Sequence, residues 1–420
     1  MRTSFEPHRY AAHLKKSGRY ASEDDLLYEW TGTHWQVHGD KELQREAYLW
    51  LVKRDIGHAS ADNAKKAVRA ALLFADAMPE SAGEVFIPCR NGTVVMRDSS
   101  PILVPADPAF GLRYVIDCDY AAAPPPPVRF EKFLNRILPD ADVRARVQEY
   151  VGYTLMPDAR FQRAQLWIGE GANGKGVLAN IIQALHGSVA AVKLNDIDRF
   201  TLASLIGASL IYVDEIPHAR IDEQTVKSLI AGETLSADRK YLDHVSVKLT
   251  GKLLALGNHL PVVTDHSAGF WRRWDVVPFD VVVPQRERSP LLASTIIAKE
   301  LSGVLNWALI GLQRLLIRGD FDPVLPPPMA VMLKDARIET NSVLAWIEDR
   351  GITLTTTITT PKDSVFADYR KWCERNALMV LGATMFWKRL HQSLPQLVHV
   401  RTRIHGAQVR VCNICLSQPG

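Results

Sequence analysis

Cysteine is scarce in this chain, with five residues scattered through 420. That excludes a disulfide scaffold and fits a reducing cytoplasm, the expected location. The single C-x-x-C spacing, Cys412 to Cys415, has no second Cys pair and no His pair beside it. Two small core residues on a strand are therefore expected there rather than a zinc site. No uninterrupted apolar run reaches the roughly 18 residues needed to span a bilayer, and no apolar signal core follows the N-terminus. No membrane association is expected. Internal repeats are absent, and the only biased segments are the proline runs Pro124–Pro127 and Pro326–Pro328. Nothing before Pro124 has the zinc motif or clustered acids of a primer-synthesising site. Net charge is small, +4, but uneven. From Pro361 to Gly420 nine Lys+Arg stand against three acids, giving +6, so residues 1–360 sum to −2. A basic end on a near-neutral body suggests an anionic partner at that end.

Hydrophobic residues make up 47% of the chain, enough for real cores in two or three domains. Residues 1–123 read as an α+β domain. Leu26–Val37 and Ile87–Met96 alternate as hairpins, the second turning at Asn91-Gly92, and Lys41–Lys53 and Ser60–Met78 have helical spacing. The Trp and Tyr residues here are expected in the core. After the proline linker, residues 128–325 alternate strands with helices, which predicts a mostly parallel sheet covered on both faces. Its strands are Leu166–Ile168, Ala190–Leu194, Ser209–Val213, Lys252–Gly257 and Val276–Phe279. Pro290–Arg318 reads as two amphipathic helices. Residues 329–420 read as helices followed by two strands around His405-Gly406, the order of a winged helix that binds DNA.

The chemistry centres on Gly169-Glu170-Gly171-Ala172-Asn173-Gly174-Lys175-Gly176, which follows a buried strand and opens a helix. This is the G-x-x-x-x-G-K layout of a phosphate-binding loop. Its backbone N–H groups and the helix N-terminus would hold phosphate, and Lys175 would reach the outer phosphates as a point charge. The Ser or Thr that normally follows the lysine is replaced by Gly176. Asp214 and Glu215 end the next long strand, where an Asp can hold Mg²⁺ and a Glu can accept a proton from the attacking water. Asn258 ends a further strand and is placed to bond a phosphate or the water. Arg272 and Arg273 are candidates to stabilise transition-state charge in trans. Arg239, Lys240, His244 and Lys248 lie in or near the turn of a predicted hairpin, Leu235–Thr250.

The ordered segments Gly-Glu-Gly-Ala-Asn-Gly-Lys, Tyr-Val-Asp-Glu-Ile, Leu-Ser-Ala-Asp-Arg-Lys-Tyr, Gly-Asn-His-Leu-Pro and Gly-Phe-Trp-Arg-Arg-Trp resemble the superfamily 3 helicases. More closely, they resemble the phage/plasmid primase–helicase C-terminal family that includes poxvirus-type helicase–primases. The resemblance covers about residues 125–325. It implies a P-loop, AAA+-like α/β core and a hexameric ring that moves on single-stranded and forked DNA with ATP and Mg²⁺. The resemblance further implies a part in replication of a phage, prophage or plasmid in a bacterial host cytoplasm, with a primase or other replication proteins as further partners. By position, Lys175 is the Walker A lysine, and Asp214 and Glu215 are the Walker B pair, with Asp214 toward the metal. Asn258 is the sensor asparagine, and Arg272 or Arg273 is the arginine finger. Arg239, Lys240, His244 and Lys248 fall in the channel hairpin that grips DNA. The alternative is an origin-binding initiator or loader that uses ATP as a switch.

Overall fold

The structure, a computed structural model, describes the chain apart from residues 1–3, 81–82, 98–99, 218, 220, 239–244, 262, 264–267, 340, 377, 405–406 and 417–420. Its N-terminal part contains α1 (His8–Ser17), β1 (Tyr20–Glu23), β2 (Leu26–Trp30), β3 (Trp35–Val37), α2 (Asp40–Arg54), α3 (Ala61–Phe74) and β4 (Asp76–Ala77). The strands pair in the order β3-β2-β1-β4. Ser60 caps α3 by accepting from the Asn63 amide. Tyr10, Leu14, Leu43 and Ala47 form a local core under these helices, and Tyr28 and Trp35 are buried in the cluster beneath the central sheet.

Next come β5 (Val85–Cys89), β6 (Gly92–Arg97) and β7 (Ser100–Val104), an antiparallel meander. Cys89 pairs with Gly92, so the turn residues are Arg90-Asn91, one position earlier than the sequence suggests. This meander is not part of a free-standing N-terminal domain. Ile87, Val94 and Ile116 share one core cluster with Tyr150, Leu185 and Leu312, and the Tyr114 hydroxyl donates to the Leu155 carbonyl.

The central body comprises α4 (Val128–Ile137), α5 (Ala141–Thr154), β8 (Ala164–Ile168), α6 (Lys175–Gln183), β9 (Val189–Ala191), α7 (Arg199–Ser204), β10 (Leu210–Val213), α8 (Glu223–Ala231), β11 (Thr234–Ala237), β12 (Val245–Lys248), β13 (Lys252–Gly257), α9 (Ala268–Trp271), β14 (Trp274–Pro278), α10 (Leu292–Arg318) and α11 (Pro327–Glu339). Five strands form an all-parallel sheet ordered β14-β8-β13-β10-β9. β8, β10 and β13 are buried at every position, as parallel strands covered on both faces must be. β11 and β12 form a separate antiparallel ribbon.

Helix α10 is one continuous element of 27 residues, not two. By length and composition it is apolar enough to cross a membrane. Here Val304, Leu305, Ala308, Leu312 and Leu315 are buried in the body core. It meets α5 backbone to backbone, since a Cβ at Gly152 would lie 2.4 Å from the Ala308 carbonyl oxygen and one at Gly311 2.3 Å from that of Gln148. The Pro326–Pro328 run does not separate domains. It opens α11, where the missing N–H of proline costs nothing, and Met329 and Ala336 pack into the body. Beneath the sheet, Arg146 makes a two-pronged ion pair with Asp275 at 2.6 and 2.9 Å, both side chains buried.

The C-terminal unit runs α12 (Ser342–Asp349), β15 (Thr353–Leu354), β16 (Thr360–Pro361), α13 (Lys362–Arg375), α14 (Ala383–Ser393), β17 (His399–Ile404), β18 (Ala407–Cys412) and β19 (Ile414–Cys415). Its main sheet is β16-β18-β17, and β15 pairs with β19. Trp346, Tyr369, Phe386, Leu390 and Cys412 form its core. Cys412 is buried and Cys415 exposed.

Candidate active site

The strand register decides which candidate residues can meet. Ile168 is opposite Gly257, and Val213 is opposite Ala255. The residues that follow these strand ends therefore emerge along one edge of the sheet: Gly169 after β8, Asp214 and Glu215 after β10, and Asn258 after β13. That is the edge where open α/β sheets bind ligands.

The glycine-rich loop leaves β8 and is tied down from inside. Asn173 is buried, donates from Nδ2 to the carbonyls of Glu170 and Phe279, and accepts from the Lys175 amide at 3.3 Å. Ala172 and Gly174 both have positive φ, at 67° and 83°. At Gly174 this costs little, whereas a Cβ there would strike Ile137 at 2.7 Å. A Cβ at Gly169 would lie 2.3 Å from the Phe279 carbonyl oxygen. Gly171 and Gly176, by contrast, face open space. The first two glycines let the loop fold, and the other two leave its outer surface clear.

Lys175 begins α6. Its Nζ donates to the Asn258 Oδ1 at 2.7 Å and to the Gly169 carbonyl. Partial burial lowers its pKa, and the nearby Glu215 carboxylate acts the other way. Asp214 and Glu215 are exposed at the strand end. Asp214 accepts from the Tyr212 hydroxyl at 2.7 Å, and burial together with that carboxylate pushes the Tyr212 pKa up. A glycine cradle, a lysine and a pair of exposed carboxylates suit a triphosphate with a hard divalent cation beside Asp214.

Beside the loop lies a cavity of about 980 Å³. Phe133, Ile137, Val177, Val283 and Leu292 supply its apolar walls, and Lys132 and Arg288 are among its cationic lining residues. Its size and lining suit an organic ring system rather than phosphate alone. Sequence reasoning missed this wall. The signal was present on α4, where Phe133 and Ile137 fall one turn apart beside Arg129, Lys132 and Arg136.

The other candidates lie elsewhere. Arg272 and Arg273 precede β14, which pairs with β8 from Trp274↔Ala164 to Pro278↔Ile168. They therefore sit at the opposite end of the sheet, roughly 17 Å of extended strand from the loop. Arg272 is exposed, and Arg163 donates to its carbonyl. Arg273 is half-buried and donates to the Gly269 carbonyl. Burial, then the neighbouring Arg272, lowers the Arg273 pKa. Lys248 is exposed near the base of the β11–β12 ribbon. Arg239, Lys240 and His244 lie outside the described residues.

Two family models match the chain: one described as D5 N terminal like over residues 8–139, and a family of unknown function (DUF5906) over residues 167–273. The chain is 27% identical over 173 residues to "Putative helicase 121R" of Invertebrate iridescent virus 3, covering 38% of this chain and 18% of that protein. It is 28% identical over 161 residues to "Putative helicase L207/L206" of Acanthamoeba polyphaga mimivirus, covering 35% and 16%. The chain thus spans under a fifth of the length of the curated relatives it matches. In fold it is similar to the apo A form of the NrS-1 C-terminal region, with a TM-score of 0.53 at 11% identity over 98% of this chain and 100% of that one. A second apo structure of that region gives 0.51 at 14%, with the same coverage. These likenesses tie part of the chain to two viral proteins named putative helicases and show a mixed α/β fold shared with the NrS-1 C-terminal region.

Proposed function

We propose that this protein hydrolyses ATP at the edge of β8, β10 and β13 and uses it to separate DNA strands during replication of a phage, prophage or plasmid. The observation that carries the reading is the meeting of Lys175 and Asn258 over an outward-open glycine loop, beside a cavity large enough for a nucleoside.

In this reading the loop amides and Lys175 hold the β- and γ-phosphates, and the cavity against α4 takes the base. Glu215 orients the attacking water and accepts its proton, and Asn258 holds the water or the γ-phosphate. Asp214 would hold Mg²⁺, which when bound neutralises developing phosphate charge. Position 176 offers no hydroxyl, so the cation's remaining ligands would be water and phosphate.

The body is read as an AAA+-like superfamily 3 core assembling as a hexameric ring. The position of Arg272 and Arg273, far from their own loop, supports action on a neighbouring protomer. The β11–β12 ribbon, with Arg239, Lys240 and His244 between its strands in sequence and Lys248 on β12, is read as the grip on single-stranded or forked DNA. The C-terminal unit runs helix, two short strands, two helices and three strands, and the pairing of β17 with β18 after the helices supports a winged helix. A second reading, an origin-binding initiator or loader, draws on the +6 charge of residues 361–420 within that unit. A strand-displacement assay with and without ATP separates them. ATP-dependent displacement that is lost in Lys175→Ala supports the motor, and duplex binding without displacement supports the initiator.

A further inference from the structure

Strands β17 and β18 pair over their full length, with Arg401 opposite Arg410 and Arg403 opposite Gln408. Residues directly opposite in an antiparallel pair share a face, so Arg401, Arg403 and Arg410 form one cationic stripe. The third strand, β16, reaches only Val411 and Cys412. Beyond that point the two strands project as a bare ribbon, with Arg401, Arg403, Gln408 and Arg410 all exposed. No described ion pair involves these three arginines.

Like charges placed directly opposite on a ribbon are destabilising. Charges of mixed sign would guard exposed strands against aggregation just as well. The positive field extends to the ribbon's base. Lys362 on α13 lies over the Trp387 ring of α14 at 4.0 Å, and His399 contacts His391 of α14 Nε2 to Nε2 at 2.6 Å. Burial, followed by Lys362, His391 and Arg410, pushes His399 down to about 4. Lys362, Arg401, Arg403 and Arg410 thus bring positive charge from three elements to one place, where Asp363 beside Lys362 offsets only part of it.

We propose that the Arg401–Arg403/Gln408–Arg410 ribbon is a binding surface for the phosphodiester backbone of nucleic acid. The choice of nucleic acid among polyanions rests on the reading of the chain as a DNA-acting protein; the stripe itself stands apart from the nucleotide site. Successive same-face arginines on one strand are about 7 Å apart. That spacing lets each guanidinium fork engage a different phosphate of one strand.

The test is fluorescence anisotropy of the full chain with a labelled short duplex and with one of its strands alone, titrated at several salt concentrations. The double variant Arg401→Gln/Arg410→Gln should weaken binding about tenfold or more at low salt. Its log–log salt slope should fall by roughly 0.9 per lost duplex contact, or 0.7 on the single strand. Its melting temperature should stay level or rise, because a repulsive pair is removed. Arg401→Lys/Arg410→Lys should keep most of the slope. Whichever form loses more affinity is the one the ribbon holds. Unchanged binding to both forms, no binding by the wild type, or binding lost together with a lowered melting temperature in both double variants would overturn the proposal. Nucleotide turnover is read separately with Lys175→Ala, so a failure there leaves this surface standing, and the reverse also holds.

Discussion

The Lys175 ammonium donates to the Asn258 side-chain oxygen at 2.7 Å, joining the start of α6 to the end of β13 across 83 residues of sequence. Two of the ammonium's three N–H groups go to that amide and to the Gly169 carbonyl, which leaves the third for a phosphate oxygen. Asn258→Asp would add an ion-pair partner that draws the ammonium from the phosphate and should raise KM for ATP. Asn258→Ala should leave KM close to wild type and lower kcat by roughly 10²–10³-fold, the usual effect of removing one group that acts in the transition state. Steady-state hydrolysis across ATP concentrations separates the two effects.

The glycines of the loop should not respond alike. Gly169→Ala must displace the Phe279 carbonyl and should abolish nucleotide binding. A Cβ at Gly176 meets nothing within 4 Å, and the position lies in the first turn of α6, which suits Gly176→Ser. It should fold normally, gain a few tenths of a kcal/mol of helix propensity, and reach half-maximal activity at a lower Mg²⁺ concentration. Thermal melts and a Mg²⁺ titration check both statements.

Arg272 and Arg273 should separate by stability. Arg273 is held against the Gly269 carbonyl, so Arg273→Ala should cost about 1–2 kcal/mol, read in denaturant unfolding. Arg272→Ala should leave stability within about 0.5 kcal/mol, as for an exposed side chain. If Arg272 acts in trans, that variant should inhibit wild type in mixed assemblies faster than linear dilution. A strictly linear loss would count against a ring.

His186 should make the body acid-sensitive. It is buried between Thr154 Oγ1 at 3.1 Å and Ser209 Oγ at 2.9 Å, and burial, then Lys252, lowers its pKa from 6.5 to about 3. The folded state therefore resists a proton that the unfolded chain accepts below pH 6.5. Stability is fully present above that value and falls with pH down to about 3. The loss amounts to about 2 kcal/mol by pH 5. In His186→Gln the part of the acid limb between pH 6.5 and 5 should flatten in urea unfolding.

Much of the central sheet was legible because parallel strands covered on both faces read as unbroken apolar runs. β8, β10 and β13 stand out for that reason, and so do the polar residues that end them. What the runs do not encode is their order. The contact of Lys175 with Asn258 exists because β13 lies between β8 and β10, which no local pattern states. The Pro326–Pro328 run misled because proline punctuates chains but is also tolerated in a helix's first turn. Helix α10 read as two helices because its apolar stripe passes from one neighbour to another along 27 residues. The cavity wall on α4 went unread because its apolar residues alternate with charge, as on any surface helix.

The shared cluster of Ile87, Val94 and Ile116 with Tyr150, Leu178 and Leu312 decides where this chain can be divided. A fragment beginning at the Pro124 run would strip the meander from the body and bare the wall it covers. Each such side chain contributes about 1.5–3 kcal/mol by burial. Losing Ile87, Val94, Tyr114 and Ile116 together reaches the order of a whole domain's stability, roughly 5–15 kcal/mol. The residues that bear the nucleotide chemistry are therefore not a portable module. Their core takes in the meander through Ile87 and Val94 and the N-terminal strands through Tyr28 and Trp35, so a fragment cut to the glycine-loop region alone should lose solubility along with activity.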